Sequence, residues 1–158
     1  IVKMANYTLA TSLVGSDPEK GVFKTPLFHA FKLFSNNCHG SSVDTYVQCD
    51  TFNTEKFKGI PYLDVTTVYS EENNAVIINV VNRHKDKAIA ADMVAMSGAI
   101  SGKGTASTVS AEALNDTFTF GNKDKYNIDE QDVTAAKGKL SFSFPPHSFT
   151  QIKVPVKK

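Results

Sequence analysis

The chain has 158 residues, of which 41% are hydrophobic and 21% charged, and its net charge is +1. That length suits one domain with a hydrophobic core of its own, and the near-neutral balance gives no electrostatic basis for a nucleic-acid or acidic-membrane partner. No apolar run approaches the roughly 18 residues a spanning helix needs.

Val2, Met4, Ala5, Leu9, Leu13 and Val14 roughly follow helical spacing and predict a first helix. The opening IVKMANYTLATSLV has neither a basic leader nor a small-residue cleavage site, so it does not read as a secretory signal. It reads as a helix entered in mid-course, which implies a longer polypeptide with any targeting segment upstream. The compartment (secreted, periplasmic or cytoplasmic) stays open. GSDPEK then stops the helix with Gly15 and Pro18. Val22 and Phe23 suit a short strand or an extended link. Thr25-Pro26 marks a second helix, with Thr as N-cap and Pro at the first helical position. Leu27, Phe28, Phe31 and Phe34 fall on one broad apolar face, and Asn36 to Ser42 ends that helix.

Beyond Gly40 the pattern becomes period-two. In PYLDVTTVY, Leu63, Val65, Thr67 and Tyr69 alternate with Asp64, Thr66 and Val68, as in a half-buried strand. SEENN is a polar turn, and AVIINVV is apolar on both faces, as a covered central strand would be. VDTYVQC, AIAADMVAM, TASTVSAEAL, LSFSF and FTQIKVPV complete a series of short strands. The alanines of two of these segments suit a helix by propensity, but their flanking glycines favour strands. The prediction is a mainly β fold, an antiparallel β-sandwich of jelly-roll type, preceded by two short helices. Residues 1–40 hold the helices and 41–158 the sandwich. Thr117 to Gly138 is a polar insertion with no evident core residues.

The chemistry-bearing residues form no catalytic pattern. Glu71 and Glu72 are neighbours in a turn and point apart, whereas glycoside hydrolysis needs two carboxylates facing across a bond. Asp124, Asn127, Asp129, Glu130 and Asp132 supply hard oxygen ligands but lack the glycine and terminal glutamate of an EF-hand, so a solvated acidic loop is expected and no metal. His29, His39, His84 and His147 sit at no metal-ligand spacing, and His29 suits packing beside an aromatic helix face. Cys38 and Cys49 read as partly buried free thiols, a disulfide being the alternative in an oxidising compartment. There is no tryptophan to serve as a sugar platform, and nothing aligns the five tyrosines. Asn6 and Asn115 open glycosylation sequons, and Lys157-Lys158 reads as a solvated tail. No cofactor is implied.

Four stretches together resemble one family. IVKMANYTLATSLVG is similar to a late barrel helix of the α-L-arabinofuranosidases of glycoside hydrolase family 51, and KTPLFHAFKLFSNNCHG to the segment leading from their last barrel strand into the final helix. IPYLDVTTVYSEENNAVIINVVNRH resembles the hairpin that follows, and LSFSFPPHSFTQIKV the closing strand pair around a PPxS turn. The resemblance covers Ile1 to about Val154. It implies a non-catalytic C-terminal domain with the last elements of a (β/α)8 barrel attached, whose catalytic glutamates lie on strands upstream of this chain. No residue here inherits a catalytic role, so the chain alone is expected to be inactive, while the parent is expected to act on arabinose-containing glycans. The implied partners are that barrel, in the same polypeptide, and further copies in a homo-oligomer. Some members carry a glutamine directly before the threonine matching Thr25; here Lys24 stands there, a residue able to donate hydrogen bonds to a sugar hydroxyl. The alternative is a stand-alone carbohydrate-binding module, against which the absence of tryptophan counts.

Overall fold

The computed structural model describes residues 13–117, 119–123 and 125–157. The first predicted helix falls largely on residues 1–12, outside this range, but its expected last turn does not form. Leu13 lies in a turn, and Val14 opens a hairpin of β1 (Val14–Asp17) and β2 (Gly21–Lys24). Asp17 makes the turn itself, its Oδ1 accepting from the amides of Glu19 and Lys20 at 3.0 and 2.9 Å. An Asx-type turn of this kind competes locally with helix. Gly15 is needed because the Phe23 ring lies where its Cβ would be, 2.2 Å away.

The second helix forms as predicted. α1 (Pro26–Asn37) is capped by Thr25, whose Oγ1 accepts from the Phe28 amide at 3.3 Å. Its orientation differs from expectation. The stripe turned inward is His29 and Leu33, at 6% and 5% exposure, with Asn37 a turn further on. Leu27, Phe31 and Phe34 remain 37–42% exposed. Helix and sheet meet mainly through amides, and of the aromatic face Phe34 reaches the sheet, at Phe149.

The remainder is strand: β3 (Ser41–Val43), β4 (Thr51–Phe52), β5 (Ile60–Pro61), β6 (Leu63–Ser70), β7 (Ala75–Asn82), β8 (Ile89–Val94), β9 (Ala99–Val109), β10 (Asp129–Phe144) and β11 (Ser148–Lys157). Seven of them make one antiparallel sheet in the order β3-β6-β7-β11-β9-β10-β8, and β4 pairs with β5 separately. The described fold is therefore mainly β with a single α-helix, and AIAADMVAM is strand β8, not helix. β10 pairs with β9 over its first half and with β8 over its second. The register shift between Ala135 and Gly138, where Lys137 and Gly138 take φ of 53° and 77°, bends the strand between its two partners. That bend curls the sheet about one core of Ile78, Val80, Leu140, Phe144, Ile152 and Val154. β7 is covered on both faces, Ile77 and Ile78 both being buried.

The polar insertion carries core residues that its composition hides. Tyr126 is 4% exposed, and Val133 and Ala135 on β10 are buried. Asp129, Glu130 and Asp132 form no acidic loop; they open β10, exposed, with Glu130 accepting from Ser107 at 3.4 Å.

Candidate functional site

Lys24 ends β2 immediately before the α1 cap. Its Nζ lies 5.4 Å from the centre of the Phe28 ring, a cation–π distance, and the side chain is exposed. Phe28 meets His29 edge-on at 5.6 Å. Burial holds the His29 ring below its ordinary pKa; the Tyr126 carbonyl beside it opposes this, and the charges of Lys24 and Lys32 reinforce it. Neither ring nitrogen makes a full hydrogen bond among the described residues.

One part of the sheet region reaches back to this corner. The long β9–β10 connection places Phe120 edge-to-face on Phe23 at 4.8 Å, with Lys20 Nζ 6.0 Å above the Phe120 ring. The connection is itself well tied. Thr119 and Asn122 form a capping box on the short 3-10 turn Phe120–Asn122. Lys125 pairs with Asp116 at 2.6 Å, and the Tyr126 hydroxyl donates to the Thr117 carbonyl at 3.4 Å. Lys125 and then Tyr126 hold the Asp116 carboxyl below its ordinary range.

The other end of α1 meets the sheet in a buried amide cluster. Asn37 Nδ2 donates to Gln151 Oε1 at 2.6 Å, and Gln151 Nε2 donates to Asn79 Oδ1 at 2.7 Å and to the Leu33 carbonyl at 3.3 Å. Cys38 joins through its sulfur, at 3.4 Å from Asn79 Nδ2. Its thiol is pushed up by burial and only partly offset by Asn79. Gln151 and Asn79 pair across β11 and β7, so the cluster is set by register. Phe34 stacks on Phe149 at 5.2 Å beside it.

At the far end of the sheet, an open cleft of about 660 Å³ is lined by Asp50, Thr51, Tyr62, His84 and Lys87, with the rings of Phe52, Tyr62 and His84 packed in series at 4.9 and 4.6 Å, each pair tilted by about a third of a right angle. It holds one carboxylate, short of the facing pair that glycoside hydrolysis requires. His147 closes the same end. Its Nδ1 and Nε2 lie 2.8 Å from the carbonyls of Lys85 and Ala111, linking two connections to the β10–β11 turn. Sequence reading placed His147 in a turn but gave no sign of this bridge. Nor did it reveal the Gln151 cluster, since amides carry no periodic signal.

Among the described residues no group of three or more His, Cys, Asp or Glu is arranged to hold a metal ion. Asp124, of the acidic run, lies outside them, as does Asn6. Cys38 and Cys49 are both free and half-buried. Glu71 and Glu72 are exposed in the β6–β7 turn. No described helix is long and apolar enough to cross a membrane.

Comparison with known proteins agrees with the resemblance. The family model "Alpha-L-arabinofuranosidase C-terminal domain" matches residues 1–148. The chain is 30% identical over 140 residues to a probable α-L-arabinofuranosidase C of Aspergillus terreus, covering 84% of this chain but 26% of that protein. A family 51 α-L-arabinofuranosidase of Thermotoga petrophila superposes with a TM-score of 0.75 at 26% identity, over 85% of this chain and 30% of its own. An arabinose complex of the Thermotoga maritima enzyme gives a TM-score of 0.78 at 24% identity, over 89% of this chain and 31% of its own, and shares the fold. The chain thus spans about a quarter of the length of the curated relatives it matches. On this evidence it belongs to the α-L-arabinofuranosidase C-terminal domain family, the part of the glycoside hydrolase family 51 enzymes that the PYLD, VNR and PPxS stretches resemble.

Proposed function

We propose that this chain is the non-catalytic C-terminal accessory domain of an α-L-arabinofuranosidase, a retaining glycoside hydrolase that removes arabinofuranosyl residues from arabinose-containing glycans. The family match over residues 1–148, in a chain spanning 26% of its relative, carries this reading. Residues 1–40 are taken as the last elements of the catalytic barrel and 41–158 as a jelly-roll β-sandwich that braces it. The half-exposed strip of Leu27 and Phe34, continued by Val81 at 39% exposure, suits a surface that further polypeptide covers. Lys24, directly before the helix-capping Thr25 and exposed, is read as a donor to a sugar hydroxyl; the resemblance at that position and the free reach of its ammonium support this reading.

The test is release of 4-nitrophenol from the aryl α-L-arabinofuranoside by this chain and by the full-length polypeptide. Turnover confined to the longer protein is expected. Turnover by the chain alone would refute the non-catalytic role. Titration of the chain with arabino-oligosaccharides should give no heat; a binding isotherm would favour a sugar-binding module instead.

A further inference from the structure

We propose that the sheet positions Lys24 by holding the β2–α1 unit at two separate places, with Gln151 and Phe120 as positioning residues. The inference rests on the reading of Lys24 as a substrate contact.

Lys24 is joined directly to Thr25, the cap of α1, so its location follows that of the helix. An uninterrupted 12-residue helix moves as a rod, about 18 Å long at 1.5 Å per residue. One clamp fixes the far end of that rod. Gln151, 2% exposed, takes a hydrogen bond from Asn37 and gives one to the Leu33 carbonyl, while its partner Asn79 faces Cys38. A buried amide set of this kind tolerates little displacement, because any shift strands polar groups away from water.

The second clamp fixes the near end. Phe120 packs on Phe23, the residue before Lys24, and the same connection brings Tyr126 to His29, one helical turn past the cap. A rod held only at its C-terminal end would still pivot and sweep Lys24 sideways. Contacts at both ends remove that freedom. Positioning by remote, locked contacts is what a substrate-binding side chain requires, since a hydrogen bond to a hydroxyl weakens steeply once its distance or angle leaves the favourable range, which lowers binding and so raises KM.

A double-substitution cycle in the full-length polypeptide tests this, reading KM and kcat for the 4-nitrophenyl arabinofuranoside. Lys24→Ala should raise KM. Gln151→Leu should raise KM about tenfold, with kcat little changed, a coupling of ordinary size for connected residues. In the Lys24→Ala background the same Gln151→Leu substitution should leave KM where it was. Equal effects of Gln151→Leu in both backgrounds would overturn the proposal while leaving the arabinofuranosidase reading intact, and so would an unchanged KM for Lys24→Ala. No turnover by the unsubstituted full-length chain would overturn both. Should Gln151→Leu fail to fold, Phe120→Ala at the other clamp runs the same cycle with the same expected pattern.

Discussion

Asn37 and Gln151, 114 positions apart in the chain, are joined by a 2.6 Å side-chain hydrogen bond that ties the end of the only described α-helix to the middle strand of the sheet. The bond belongs to a buried set, so its loss leaves neighbours unsatisfied. Gln151→Leu in the isolated chain is expected to lower unfolding stability by about 3 kcal/mol. Urea denaturation would show it. Asn37→Ala, which removes a single donor at the half-buried edge, should cost about 1 kcal/mol.

His147 takes φ of 38°, a conformation that asparagine also tolerates. His147→Asn therefore keeps the turn but cannot span the 2.8 Å contacts to both Lys85 and Ala111. A neutral imidazole has one N–H to donate to these two carbonyls, so a loss of about 1 kcal/mol is expected from one hydrogen bond. Limited proteolysis should find new cleavage in 84–88 and 110–112, and an unchanged digestion pattern would show that the bridge is dispensable.

Gly104 allows β9 to lie close against β11. A Cβ there would stand 2.3 Å from the Lys153 carbonyl oxygen and 3.1 Å from the Val154 Cα, both backbone and unable to swing aside. Gly104→Ala should cost at least about 3 kcal/mol through forced strand separation. Gly59→Ala is a useful contrast: it has nothing within 4 Å but a φ of 67°, so its penalty is conformational only, about 1 kcal/mol.

Protonation of His29 opposes folding. Its pKa is lowered from 6.5 in the folded chain by burial, so the unfolded chain binds the extra proton first as pH falls. Stability is then fully present above 6.5 and declines as pH drops from there through the lowered folded value. His29→Phe should flatten that part of the curve of unfolding midpoint against pH. A slope that persists below 6.5 in this variant would assign the effect to other groups.

Much of the sheet was legible because β6 and β7 obey the simplest rule available. Leu63, Val65, Thr67 and Tyr69 keep period two, and the apolar density of AVIINVV marked a strand covered on both sides. The Thr-Pro start of α1 was legible for the same reason: cap chemistry is local. What eluded reading was set by partners remote in the chain. Helical spacing at Leu13 and Val14 lost to the Asp17 turn and to pairing with β2. The aromatic face of α1 outweighs its opposite face in hydrophobicity, yet the buried stripe is His29 and Leu33, and the amides of β7 and β11 took its Leu33–Asn37 end. Tyr126, buried in the folded chain, carries no core signature in the sequence because one aromatic among polar neighbours makes no pattern. The candidate site shares this difficulty: Lys24 came from resemblance alone, and its supports Gln151 and Phe120 lie far along the chain.

The place of β11 has a consequence for how the molecule is made. It lies between β7 and β9, each of which precedes it in the chain. During synthesis the β6–β7 hairpin can form early, but the sheet stays split, with β7 and β9 each showing an open edge, until residues Ser148–Lys157 leave the ribosome. Pairings across so much sequence are slow to find. A nascent or prematurely terminated chain lacking this strand would be missing the centre of its sheet, not a dispensable border, and would be a natural target for chaperones and proteases.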